Sequence, residues 1–262
     1  MSSNDFLINS ATRHQIFVQR YAGGQVKQLL KHLQNMVADV QRELAAATTL
    51  AQAQRLAFRL DSIQELIGEG LDALGSDLRA NMDEFAAFEA DFAVRAINEA
   101  ASVGAKLPDN ELLASLVTQN PMRLLVGDSE QLLTISEAVE QFSAKKRGEI
   151  ARLIQTGLLE GKTTAQVSRD VANLVEKRTR SQATALIRTA TNHISSEARA
   201  ATHAANTDII EGEEWVATLD GRTTLTCASL DGKTFDIGDG PQTPGTGIAA
   251  ASGCRCLSRN IR

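Results

Sequence analysis

Arg188, Asn192, Ser195 and Arg199 stand at i, i+4, i+7 and i+11, a spacing that lines one stripe of a 3.6-residue helix. Two guanidinium forks and an amide on such a stripe can hold a carboxylate, a phosphate or the carbonyls of irregular backbone. Asp220, Asp231 and Asp236 follow soon after and are natural partners, so the stripe reads first as a clamp on the loops behind it. A catalytic set would have to be assembled from Arg188, Asn192, Arg199, Asp220, Asp231 and a histidine. The chain carries no H-E-x-x-H, Walker A or G-x-S-x-G motif to support one.

The second group with chemistry is Cys227, Cys254 and Cys256, the only cysteines. With His203 from the preceding helix they could bind zinc, although structural zinc sites usually show four Cys or His at tighter spacing. A bridge from Cys227 to Cys254 or Cys256 would require an oxidising setting, and reduced, part-buried thiols are the plainer reading.

These residues must be positioned by a chain that is mostly amphipathic helix. Residues 1 to 10 read as a polar arm with a small apolar anchor. From Thr12 onward apolar residues from Ile16 to Leu44 recur at three- and four-residue steps, with a break or kink expected at Gly23-Gly24. Thr49 with Gln52 forms a capping box for a second helix, whose apolar face runs from Leu56 through Leu78 and on to Ile97. Gly68 and Gly70 weaken that helix without ending it. The heptad register is not clean, which favours a bundle over a coiled coil. Asp109 should cap a short helix ending at Asn120-Pro121, and Asp128 or Ser129 should open the next, which stops near Gly157 to Gly161. Thr163 with Gln166 is a further capping box, and the helix bearing the stripe covers about Arg178 to Asn206. Glu214 to Thr218 and Lys233 to Ile237 read as short strands, with Asp220-Gly221 and Asp231-Gly232 as turns and an irregular stretch from Gly238 to Gly247. The fold class expected is mainly α: a helical bundle or hairpin body at the N-terminus and a small α+β module at the C-terminus, a long helix with short antiparallel strands and an irregular loop. The expected divisions are 1–104, a helical region; 105–177, a helical connecting region; and 178–262, the α+β module.

Composition agrees with this. The 262 residues are 43% hydrophobic and 23% charged, enough for a buried core, while aromatics at 4% disfavour a sandwich or barrel. No run approaches the roughly 20 apolar residues of a membrane span, and the first residues lack the features of a secretion signal, so synthesis in the cytoplasm is expected. The net charge of -5 and pI near 5.5 give no global drive toward nucleic acid. Basic clusters at Lys145-Lys146-Arg147, Lys177 to Arg180 and Arg255 to Arg262 leave room for local contact.

At these same residues the chain resembles the phage Mu protein F-like, or phage head morphogenesis, family of minor head proteins. The resemblance rests on Leu186-Ile187-Arg188-Thr189 with Asn192 and Arg199, then Glu214-Trp215-Val216-Ala217-Thr218-Leu219-Asp220-Gly221-Arg222-Thr223. It continues with Cys227-Ala228-Ser229-Leu230-Asp231-Gly232-Lys233 and Gly253-Cys254-Arg255-Cys256, and covers roughly residues 145 to 258. Arg188, Thr189, Asn192, Arg199, Trp215, Asp220, Arg222, Thr223, Asp231 and Gly232 are its signature positions. The chain departs from the family at Ala190, where an acidic residue is usual, and at Ala251-Ser252-Gly253, where a His or Pro often precedes the final Cys-Arg-Cys. The resemblance implies a minor capsid protein of a bacteriophage virion, made in the host cytoplasm and located inside the head near the portal. Its partners would be the portal protein, other head proteins and locally the packaged DNA, and its work head assembly with DNA packaging or ejection. The alternative is an enzyme of nuclease or ADP-ribosyltransferase type using the Arg188/Asn192/Arg199 stripe. No cofactor is expected unless the cysteines hold zinc.

Overall fold

A computed structural model describes residues 3–46, 53–102, 104–126, 129–217, 225–241 and 256–261. In chain order the elements are α1 (Ser3–Ala45), α2 (Ala53–Ala101), α3 (Asn110–Thr118), β1 (Met122–Val126), β2 (Ser129–Leu133), α4 (Ile135–Leu159) and α5 (Thr164–Leu174). A π turn (Val175–Thr179) leads directly into α6 (Arg180–Ala204), followed by β3 (Gly212–Ala217), α7 (Leu225–Leu230), β4 (Thr234–Phe235) and β5 (Cys256–Ile261). The fold is mainly α with small antiparallel sheets, as the periodicity predicts. The chain divides into two compact units, one of residues 1–23, 79–135 and 187–262 and the other of residues 24–78 and 136–186; α1, α2 and α6 contribute substantially to both.

The second unit is a bundle. Leu29, Leu33, Met36 and Val40 of α1, Ile67, Leu71, Leu74 and Leu78 of α2, and Ile150 and Ile154 of α4 are buried at the helical spacing read from the sequence. Each such aliphatic side chain contributes roughly 1.5–3 kcal/mol when fully buried. Gly70 and Gly75 sit mid-helix because neighbours come too close for a side chain. A Cβ at Gly70 would lie 2.7 Å from Met36 Cβ, and one at Gly75 would overlap Val139.

The line of buried residues through α5 and α6 explains the π turn. Val167, Val171, Val175, Thr179, Ala183 and Ile187 are buried at successive four-residue steps. In an α-helix of 3.6 residues per turn each such step drifts by about 40°. The wider π turn at Val175–Thr179 offsets that drift in the middle of the run, so the buried stripe keeps facing the core. At the start of α5 the Thr163–Gln166 capping box is present in both directions.

Four sequence expectations are corrected. The N-terminal residues are not an arm: α1 begins at Ser3 and runs without interruption through Gly23 and Gly24. Neither glycine has positive φ, and burial of Val18, Ala22, Leu29 and Leu30 on either side outweighs their poor helix propensity. Ser129 opens a strand, not a helix. Met122–Val126 supplies an antiparallel partner in full register, Met122 opposite Leu133 and Val126 opposite Ser129, and the helix starts only at Ile135. Asp128, the other candidate for that helix start, lies outside the described residues. The strand expected over Lys233 to Ile237 is cut to Thr234–Phe235. Finally, α7 and β5 had no clear sequence signal. The Thr49 capping box lies outside the described residues. The Asp109 cap is present, its Oδ1 accepting from Glu111 N at 3.0 Å.

A Cβ at Gly24 would meet nothing within 4 Å. Gly24→Ala should therefore raise the unfolding free energy, by up to about 1 kcal/mol, because alanine is the better helix former and meets no obstacle. Urea denaturation checks this; a destabilised variant would mean that the glycine serves a purpose outside the helix.

Candidate functional site

The stripe on α6 runs from solvent into the core of the first unit. Arg188 is exposed and makes no ion pair or hydrogen bond to a described residue, and Thr189 is half-buried. Asn192 Oδ1 accepts from Gln19 Nε2 of α1 at 3.2 Å. Ser195, 1% exposed, donates from Oγ to Glu89 Oε2 of α2 at 2.6 Å. Arg199 donates from Nε to Ser195 O at 3.0 Å and lies against the carboxylates of Glu89 and Glu213. Burial pulls its guanidinium below the usual arginine value, and the two carboxylates oppose that shift.

The carboxylates are held by further groups. Glu89 is completely buried and its Oε1 meets His14 Nε2 of α1 at 2.7 Å. The His14 ring stacks on Phe92 at 3.5 Å between centroids, and Phe17 and Phe88 lie alongside. Tyr21 stacks on Phe85 at 4.2 Å and donates to Asn81 O at 3.1 Å. Burial, with Glu84 and Glu89 adding to it, pushes its phenol up to about 12. Glu213 of β3 is buried and pairs with His203 Nδ1 at 2.5 Å. One turn further, Asn206 holds the backbone of Lys106, accepting from its N at 2.7 Å and donating to its O at 2.9 Å. The result is a polar layer spanning α1, α2, α6 and β3. Histidine and arginine there face two buried carboxylates, so neither sign of charge is left alone in a low-dielectric interior.

The C-terminal module is built on β3. It is the central strand of the sheet β4-β3-β5, antiparallel to both neighbours, and pairs with β5 from Gly212 opposite Ile261 to Ala217 opposite Cys256. Trp215, Ala217 and Cys227 form a buried cluster, with Leu230 and Phe235 packed against it. The turn after α7 is fastened to the same strand. Asp231 Oδ1 accepts from Ala217 N at 2.8 Å, Gly232 N donates to Trp215 O at 2.8 Å, and Trp215 N donates to Lys233 O at 2.8 Å. Gly232 has φ +75°, which a side chain would strain.

Of the sequence candidates, Asn192, Arg199, Trp215, Asp231 and Gly232 thus take part in these contacts. Asp220, Arg222, Thr223 and Cys254 lie outside the described residues, as does the side chain of Cys256. So does the Gly/Pro-rich stretch from 242 on, which the stripe was expected to clamp. Among the described residues no three His, Cys, Asp or Glu converge as a metal site requires. His203 Nδ1 already engages Glu213, so only its Nε2 could serve a metal together with the cysteines. Sequence reasoning missed His14, Glu89, His203 as a partner of Glu213, and Asn206. A glutamate inside the apolar pattern of α2, between Phe88 and Phe92, was the one available sign.

His193 has a different character. It is buried, and neither ring nitrogen makes a well-formed hydrogen bond to a described residue, although the Asn120 backbone lies near. Burial pulls its pKa below the usual 6.5, opposed by Glu197 at 4.0 Å. As pH falls below about 6.5, the unfolded chain takes up this proton before the folded one does, and stability declines. His193→Leu should flatten the dependence of the urea midpoint on pH in that acidic range. An unchanged slope would assign the dependence to another group.

Residues 148–259 match the family model described as Phage Mu protein F like protein. The matched stretch runs from within α4 to β5, contains the α6 stripe and the β3 module, and bears out the resemblance read from the residues. No curated protein and no solved structure matches the chain. No helix among the described residues is long and apolar enough to cross a membrane.

Proposed function

We propose that this chain is a minor head protein that docks at or near the portal vertex, inside the capsid, and assists head assembly and the packaging or ejection of DNA. The observation that carries the reading is that the family match falls on a stretch in which Ser195, Arg199, His203, Glu213 and Asp231 are spent on contacts within the chain's own fold. Ser195 donates to Glu89, Arg199 faces Glu89 and Glu213, and Asp231 holds β3, which is what a rigid docking module needs. In this reading the signature positions Arg188, Thr189, Asn192, Arg199, Trp215, Asp220, Arg222, Thr223, Asp231 and Gly232 maintain the module, and its partners are the portal and other head proteins.

The enzyme reading requires Arg188 and Arg199 to act on one substrate. Eleven residues of helix separate them by roughly 16 Å at about 1.5 Å per residue, and Arg199 is turned to carboxylates of its own chain. Both facts favour the structural role. The test is co-expression with the portal and major head proteins of the same phage, followed by purification of portal assemblies and heads. The chain should co-purify at low copy number; its absence from both fractions would end the minor-head reading.

A further inference from the structure

The second unit contains a groove of about 460 Å³ bounded by the C-terminal half of α4, the α4–α5 connection, α5 and the π turn. Its carboxylates are already engaged. Glu149 Oε2 accepts from Lys146 Nζ at 2.6 Å. Lys162 Nζ reaches Asp170 Oδ2 at 3.0 Å and Glu160 Oε2 at 3.4 Å. Arg152 and Arg178 line the same groove, both exposed, and neither forms an ion pair or hydrogen bond to a described residue. Lys177, exposed beside Arg178 on the π turn, is likewise unpaired among the described residues. Arg180, two positions on, differs: its guanidinium is tied to Glu176 at 2.5 Å.

Two free guanidinium forks opening on one groove, with the neighbouring carboxylates held by lysines, complement a ligand carrying successive negative oxygens. Guanidinium matches phosphate oxygens in bidentate geometry. The π turn contributes by presenting Lys177 and Arg178 to solvent while Val175 and Thr179 stay buried. We propose that this groove binds the phosphodiester backbone of double-stranded DNA, with Arg152 and Arg178 each contacting a phosphate and Lys177 adding charge. The presence of DNA rests on the head-protein reading; the site itself rests on which charges in the groove are paired. Because the whole chain carries a net charge of -5, binding has to come from this local patch and falls steeply with salt.

The test is titration of the purified full-length chain with a short DNA duplex at several salt concentrations. Wild type should bind at low salt. Arg152→Ala/Arg178→Ala should weaken binding about tenfold or more and reduce the slope of log K against log salt by about 2, since each lost phosphate contact removes about 0.9. Arg13→Ala/Arg20→Ala removes the same charge from exposed positions of α1 and should leave affinity and slope near wild type. All four side chains are exposed, and circular dichroism confirms that both variants fold. Absence of duplex binding by wild type would overturn the proposal, as would equal losses in the two variants. Displacement of the duplex by inorganic phosphate at matched phosphate concentration would also overturn it, by making the groove a free-phosphate site. Portal association is measured separately, so loss of the DNA result with portal binding retained sinks this site alone.

Discussion

Glu89→Ala should lower the unfolding free energy by about 3–5 kcal/mol, the cost of leaving a buried charge without its partner. Glu89 is fully buried and accepts from His14 and Ser195 while facing Arg199. Alanine removes all three interactions at once and leaves the Arg199 guanidinium in a part-dry interior with only Glu213 to answer it. Glu89→Gln keeps an oxygen for Ser195 but not the charge, so it should fall between wild type and alanine. Equilibrium urea unfolding followed by circular dichroism measures both. If the alanine variant lost less than about 1 kcal/mol, the layer would be solvated in a way its burial denies. A double-mutant cycle with Ser195→Ala should show strong coupling, because the two side chains share one 2.6 Å hydrogen bond.

The second large effect is expected at Trp215. It is 3% exposed and forms the centre of the small core under β3, against Ala217, Cys227, Leu230 and Phe235. Truncation to alanine removes the largest side chain from a cluster with few others to fill the space, and should cost roughly 3–5 kcal/mol. Trp215→Phe, which retains most of the volume and loses an indole N–H that has no partner among the described residues, should cost much less. Trp215 is the only tryptophan, so wild-type fluorescence reports on this module directly, and the variants can be followed by circular dichroism. In co-expression with head proteins Trp215→Ala should also lose portal association if the module is what docks. Retained association with a melted module would move the docking surface elsewhere in the chain.

The parts of this protein that were legible in its sequence are those whose causes are local. A helix face needs only its own neighbours at three and four residues, and the faces of α1, α2, α4 and α5 were readable for that reason. The same holds for the Asp109 cap and the Thr163–Gln166 box, where side chain and backbone partner lie a few residues apart, and for the Asp231-Gly232 turn, where Gly232 takes φ +75°. Ser129–Leu133 was misread because its apolar pair Leu132-Leu133 fits the start of a helix as well as the end of a strand. Only the register with Met122–Val126 separates the two, and register is a property of a pair of segments. β5 was hidden for a similar reason: six residues of no marked pattern become a strand by pairing with β3 along its full length.

The Arg188–Asn192–Ser195–Arg199 stripe marks the same division. Its existence, its helical spacing and its place in a stretch resembling phage Mu protein F were determined by the sequence alone, since periodicity and motif order are written in the chain. What the stripe faces was decided by the tertiary structure. Ser195 finds its carboxylate 106 residues away on α2, and that carboxylate finds His14 another 75 residues earlier. No local rule connects such positions, because the cost of an unpaired buried charge is met by whichever segment the fold brings alongside.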